Sequence, residues 1–258
     1  MQKALKIIYV MALCLLFSSP VFPADYSYKG KIEPTNDTSQ LLKFYVEKFD
    51  PESLELIIEA EPDITGLYKN IYMNITGCNI SGVRLDKLTF QLLDAQFNDP
   101  EEWESGNVEC TSALEVYATC RLLEDDINAD LENRVIGSDD DKWRNLKIRI
   151  TPKGLHGSGE YSVKLLLSFN ILIEIESKLR IVRGQEVWLE DASVKLNRLD
   201  VPEHVTNMAL DQIQPLLNLK TIPLPLRLNK ITFLEKEALF ETRVLPDVIE
   251  GITYTYVK

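Results

Sequence analysis

The chain has 258 residues, 28 Lys and Arg against 40 Asp and Glu, and a formal net charge of −12. So acidic a surface repels phosphate backbones, which argues against nucleic acid as a partner. It also disfavours steady electrostatic adhesion to anionic membranes, so any contact with lipid has to come through apolar surface.

The N-terminus reads as an export signal. Lys3 and Lys6 precede an apolar run, Ile7 to Phe17, and Ser18, Ser19 and Pro20 then break any helix. A membrane span needs about 20 apolar residues, so this shorter run with a basic start fits a secretory signal peptide. Ala24 is the best cleavage position, although Phe22 stands where a small residue is usual; an uncleaved anchor is the alternative. Cys14 lies within the run, but Ala12 and Leu13 before it suit lipidation poorly. The expected organisation is a signal peptide over 1–24, a flexible leader over 25–38 and one domain over 39–258. The expected location is the periplasm or the extracellular cell envelope. Cys78, Cys110 and Cys120 remain after processing. An oxidising compartment permits one disulfide among them, with its pairing open, or all three serve as small buried hydrophobes.

The first helix is predicted from Ser39 to Phe49, where Leu41, Leu42, Tyr45, Val46 and Phe49 recur at helical spacing before Pro51. Leu54, Leu56 and Ile58 alternate as a strand, and further strands are predicted near 68–76, 84–97 and 108–120. A second helix over Leu123 to Arg134 has Glu124, Asp125 and Asp126 in its first turn, where carboxylates complement the helix dipole. Gly137 to Lys142 is an exposed turn without the further ligands a calcium loop requires. After a strand over Trp143–Thr151 and a turn over Pro152–Gly159, apolar residues fill every odd position from Tyr161 to Ile175. This period of two predicts one strand about 50 Å long. Pro202 to Leu217 is predicted as an amphipathic helix with Val205, Met208, Ala209, Ile213, Leu216 and Leu217 on its apolar face. Ile222, Leu224, Leu226 and Leu228 then share one face of an extended segment. Pro223 and Pro225 lack ladder donors and confine it to an edge. Strands over Ile231–Leu234 and Leu239–Val244 follow.

The order of these pieces resembles the LmeA-like phospholipid-binding family, which is related in architecture to tubular lipid-binding domains. The resemblance rests on LELIIEAEPDITGLYKNIYMNITG (Leu54–Gly77), the strand over Gly82–Asn98 and LLEDDINADL (Leu122–Leu131). It rests most on the alternating strand followed by VPEHVTNMALDQIQPLLNL (Val201–Leu219) and IPLPLRLNKITF (Ile222–Phe233). It covers about Ser39 to Val244. It implies an α+β fold: a long, highly twisted antiparallel sheet wrapped around a long amphipathic helix, with additional short helices. It also implies an apolar groove for acyl chains. The expected lining is Leu165, Leu167, Phe169, Ile171, Ile173, Val205, Met208, Leu224, Leu226, Leu228 and Phe233. The expected partners are a phospholipid or other acyl-chain lipid and, transiently, a membrane surface; the oligomeric state is left open. Arg149, Lys178, Arg180 and Arg227 are isolated cations and form no cluster for a lipid phosphate.

Catalysis is not expected. The chain has two histidines, His156 in a turn and His204 at a helix start, and Ser158 lacks nucleophile-elbow spacing. The acidic pairs Glu101/Glu102 and Asp125/Asp126 are consecutive and read as solvated charge. No catalytic residue, metal or cofactor is expected. The contrasting reading is a non-catalytic envelope module of the same fold with a filled core, acting through its surface.

Overall fold

The computed structural model describes residues 25–80, 83–132, 136–137, 141–164, 168–211, 214–221 and 224–258. Its first helix, α1 (Asp37–Phe49), begins at a side-chain cap. Asn36 Oδ1 accepts from the Ser39 amide at 2.9 Å, and the Asn36 amide donates to Ser39 Oγ at 3.0 Å. This reciprocal pair satisfies donors that the first turn leaves free. Asp50, in the left-handed region, ends the helix, its N–H bonding to the Val46 carbonyl at 2.9 Å. Leu41, Leu42, Tyr45 and Phe49, spaced at three and four, are all buried.

That helix face packs on a sheet of β1 (Asp25–Lys29), β16 (Ile252–Val257), β2 (Ser53–Ile58), β3 (Leu67–Ile80), β4 (Val83–Phe97), β6 (Glu115–Leu123), β15 (Glu237–Glu241) and β14 (Lys230–Leu234), in that order. The short β5 (Cys110–Ser112) pairs with β4. Register places Tyr254, Leu56, Met73, Phe90 and Ala118 in one row across five strands, all buried. Phe90 meets Phe49 of α1 with ring centroids 6.5 Å apart. A second contact fixes the helix start: Asn36 Nδ2 donates to Tyr254 Oη at 2.7 Å, and Tyr254 donates to Glu61.

The second sheet runs β12 (Leu199–Asp200), β11 (Glu186–Leu196), β10 (Ser168–Val182), β9 (Gly154–Lys164), β8 (Asp141–Thr151), β7 (Ile136–Gly137), with β13 (Leu217–Asn218) on β11. It is tied to the first sheet through α2 (Glu124–Glu132). Glu124 Oε2 accepts from the Ile150 amide at 2.7 Å, and the Asn128 side chain exchanges two 2.8 Å bonds with Ile148. These side chains act as a strand partner for β8, so part of its edge is not left bare. Lys236, in the β14–β15 turn, donates its N–H to the Ile150 carbonyl at 3.1 Å. Gly154 opens β9 at φ +136, where a Cβ would lie 2.4 Å from the Ser177 carbonyl oxygen. Only glycine lets the β8–β9 turn approach β10 so closely.

Several expectations are corrected. The strand-rich α+β character holds, but the strands form two sheets, and β1 pairs with β16 in parallel. Residues 25–29 of the expected leader are therefore a strand. Tyr161 to Ile175 is not one strand but a hairpin, with Tyr161 opposite Ile171 and Lys164 opposite Ser168. The helix predicted over 202–217 is the eight-residue α3 (Glu203–Leu210). Leu216 donates to the Val187 carbonyl at 2.9 Å, and β13 pairs with β11, so residues after α3 are drawn into the sheet. Pro215, without an N–H, fits a non-helical segment. Among the described residues, helices therefore reach 13, 9 and 8 residues, and no long amphipathic helix is wrapped by a sheet. The helix that the first sheet does bury is α1.

The three cysteines are unpaired. Burial pushes the Cys78 and Cys110 thiols up to about 11 and the Cys120 thiol up to about 12. A free thiol ionises near pH 8.5. The folded chain thus keeps these protons after the unfolded chain has released them. Their contribution to stability is whole below about pH 8.5 and is lost as pH rises through 11 to 12. Urea titrations should show stability falling above about pH 9, and Cys78→Ala with Cys120→Ala should flatten that fall. Separately, Asn36→Ala removes the cap and its bond to Tyr254 and should cost about 1–2 kcal/mol in the same assay.

Candidate functional site

The apolar residues of the second sheet share one face, and two backbone features keep them there. The β9–β10 hairpin pairs odd residues with odd: Tyr161 with Ile171, Gly159 with Ile173, Gly157 with Ile175. Directly opposed residues project to the same side of a sheet, so the apolar phase passes through the turn unchanged. Across β10 and β11, Ile181 faces Val187 and Leu179 faces Leu189, but Ile175 faces Val194 and Ile173 faces Leu196. The apolar residues of β11 switch from odd to even. The switch is a β-bulge: β11 carries one extra residue between Glu190 and Ser193, and Asp191 takes φ +52. Ser177 Oγ donates to the Glu190 carbonyl at 2.8 Å, satisfying a group beside the irregular ladder.

The result is an apolar stripe from Ile181 to Ile171 along β10, flanked by Val187, Leu189, Val194 and Leu196. Ten residues of strand span about 33 Å. On β9, Gly157 and Gly159 put no side chain beside Ile175 and Ile173. Gly159 is buried, and the Ile148 side chain of β8 leans over Gly157, its Cδ1 3.3 Å from where a Cβ would stand. The opposite face is polar: His156, Glu174, Glu176, Ser193 and Lys195 line a hollow of about 30 Å³. Arg180 pairs with Glu190 at 3.5 Å, and Lys178 with Asp191 at 3.0 Å.

The stripe is covered unevenly. Leu179 and Ile181 are half-buried against the core cluster, with Val187 2% exposed beside them. Ile171, Ile173 and Ile175 are half-buried outside that cluster; on β11 and β12 Val194 is buried at 9%, Leu196 is 38% and Leu199 73% exposed. The base is closed by the leucines of the Pro-containing segment. Leu224, Leu226 and Leu228 are buried with Val187 and Leu219 in the core, while Pro225 and Arg227 face solvent. The alternation persists without a strand ladder. The Leu228 amide donates to the Gly184 carbonyl at 2.8 Å, and the Leu226 amide to the Leu224 carbonyl at 2.7 Å.

Of the residues predicted from sequence, the structure therefore sets Ile171 and Ile173 on the open stripe and Leu224, Leu226 and Leu228 at its filled base. Phe233 lies half-buried on β14. Leu165 and Leu167 lie outside the described residues, as do the side chains of Phe169, Val205 and Met208. Of α3, Thr206 and Leu210 are buried, while Glu203, His204 and Asn207 face solvent. Ile175 of β10 is missing from the predicted set, as are Val187, Leu189, Val194 and Leu196 of β11. The β11 signal was legible as two alternating runs, out of phase by one residue across Glu190 and Asp191.

A second concavity, about 370 Å³, lies between α1 and the 3₁₀ turn Pro100–Ser105. Gln40, Lys43, Glu47, Lys48 and Ser105 line it with Phe44 and Trp103, a largely polar wall unsuited to acyl chains. Among the described residues, no group of three or more His, Cys, Asp or Glu could hold a metal ion, and no helix is long and apolar enough to cross a membrane.

A family model described as LmeA-like phospholipid-binding matches residues 47–240. The match takes in the whole second sheet and leaves out β1, β16 and most of α1. No curated protein and no solved structure matches the chain.

The bulge is testable by substitution. Asp191→Val puts a β-branched residue at positive φ and should cost about 1–3 kcal/mol, measured by chemical denaturation. Asp191→Gly should be tolerated.

Proposed function

Since the chain belongs to the LmeA-like phospholipid-binding family, we propose that it holds the acyl chains of a phospholipid along the stripe of β10 and β11. The observation that carries this reading is the part of the stripe that the core leaves uncovered. Val187, Leu179 and Ile181 pack into the core, whereas Ile171, Ile173 and Ile175 lie half-buried outside it and Leu196 is exposed, which offers aliphatic surface without a complete side-chain lid. Each acyl layer of a bilayer is about 15 Å deep, half of the hydrocarbon core. The part of the stripe outside the core, Ile171 to Ile175, spans about 13 Å, close to the depth of one such layer. Burying apolar area gives about 25 cal/mol per Å², so aliphatic contact alone supports binding without a basic clamp.

The role is binding rather than catalysis, and it is exercised outside the cytoplasm. Lys3, Lys6 and the Ile7–Phe17 run support export. An extracytoplasmic carrier that takes lipid between membrane and groove, or maintains the envelope by doing so, fits an acidic protein with an amphipathic sheet.

Native mass spectrometry of the chain purified from an exporting host, followed by lipid extraction, tests the proposal. A diacyl lipid at defined stoichiometry is expected. Ile173→Glu, at a half-exposed position, should abolish its retention while leaving the circular dichroism spectrum unchanged. Lys195→Glu, on the polar face, should leave it intact. A folded Ile173→Glu protein that retains lipid would contradict the assignment. A wild-type chain that carries and takes up no phospholipid would favour a filled module acting through its surface.

A further inference from the structure

In an antiparallel sheet the end of one strand lies beside the start of the next. The β2–β3 loop, the β5–β6 junction and the β15–β16 segment therefore all emerge at one end of the first sheet. Five large aliphatic residues are exposed there: Ile64 at 99%, Leu114 at 69%, Val248 at 64%, Leu245 at 53% and Val244 at 49%. Their backbones are pinned. Asp63 Oδ1 accepts from the amides of Thr65 at 2.8 Å and Leu67 at 3.2 Å, and the Phe97 amide donates to the Gly66 carbonyl at 3.2 Å. The Leu114 amide donates to the Leu93 carbonyl at 2.9 Å. Thr242 exchanges bonds with Ala118 at 2.8 and 3.0 Å, and the Asp247 amide donates to Gln91 Oε1 at 3.0 Å. Aliphatic side chains are thus held outward on fixed loops, where water exposure is costly.

We infer that this end of the first sheet docks on a lipid bilayer, with Ile64, Leu114, Val244, Leu245 and Val248 entering its interface. Knobs on separate loops give no continuous face for a protein partner, whereas a fluid bilayer adapts to each. The chain path supplies an independent reason. β1 starts at Asp25 opposite Thr253, so the preceding segment, with Lys3, Lys6 and the Ile7–Phe17 run, joins the body at this same end. Retained as an anchor, that segment would hold this end nearest the lipid; cleaved after Ala24, it leaves the new N-terminus there. The fringe is acidic: Glu59, Glu61, Asp63, Glu115, Asp247 and Glu250 are exposed, against Arg243 and two lysines already paired, Lys69 with Asp94 at 2.8 Å and Lys230 with Glu241 at 3.7 Å. Docking therefore favours zwitterionic over anionic lipid. Lys236, at the other end of β15, contacts β8, while the β10–β11 turn meets Leu228 just before β14.

Docking is independent of acyl binding, and flotation reads it separately from lipid extraction. The exported chain, freed of residues 1–24, is floated with phosphatidylcholine vesicles and with phosphatidylglycerol vesicles at low and high salt. The expected result is flotation with phosphatidylcholine, and weaker binding to phosphatidylglycerol that recovers with salt. Ile64→Asp combined with Val248→Asp should lower the partition coefficient about tenfold or more. Leu234→Asp, at the opposite end, should change it little. The substituted residues are exposed, and an unchanged melting profile checks that the fold is kept. Equal flotation of the double variant, or an equal loss with Leu234→Asp, would overturn the assignment. Failure of the wild-type chain to float would overturn it in favour of a protein partner.

Discussion

The second sheet depends on keeping one face apolar along β10 while the strand's surroundings change. The 178–182 half of β10 is built into the core, where Leu179 and Ile181 pack beside buried Val187 and Leu228. The 168–176 half carries the same face outward, with Ile171 and Ile173 half-buried. A side-chain period of two makes this an all-or-none matter, since a slip of one residue turns the whole aliphatic set to the other side. The hairpin preserves the phase by pairing odd with odd. The bulge at Asp191 restores it on β11, where the aliphatic positions change from odd to even. Without that extra residue, Val187 and Leu189 would share a face with Lys195, and the sheet would have neither a dry base nor an apolar stripe.

The two sheets divide the work. The first is a filled unit, with rows of buried side chains under α1 and aromatic contacts from Phe90 to Phe49 and from Phe49 to Tyr45. Its rigidity gives the second sheet a fixed foundation through Glu124, Asn128 and Lys236. It also holds the loops that carry Ile64 and Val248. Among the described residues the second sheet has fewer buried side chains, and its aliphatic surface is left partly open rather than closed. That difference in filling, between two sheets of one chain, is what a lipid-binding protein needs: one body to stay folded, one surface to stay available.

Local pattern made much of this legible. Helical spacing of Leu41, Leu42, Tyr45 and Phe49 located α1, and alternation located β2 to β4 and the apolar face of 161–175. The reversal between Lys164 and Ser168 was invisible because pairing odd residues with odd leaves the period of two unbroken. The 202–217 helix was overestimated because its apolar periodicity runs on past Leu210, where pairing of Leu217–Asn218 with β11 overrides it. β16 alternates Tyr254 and Tyr256 with threonines, but its partners lie about 200 residues away, and no local signal joins them. For the site, Ile171 and Ile173 were readable as one face. Whether Leu224, Leu226 and Leu228 line a groove or fill its base depends on what packs against them, which spacing does not encode.

The central claim is that acyl chains lie along the stripe of β10 and β11. Photo-crosslinking with a phospholipid carrying a diazirine on its acyl chain, followed by peptide mapping, tests it most directly. Labels should fall on Ile171, Ile173, Ile175, Val194 and Leu196, and the buried row through Leu56, Met73 and Phe90 should stay clean. Labels confined to that row, to the polar hollow at His156 and Glu174, or to the cleft at Lys43 and Trp103 would contradict the account.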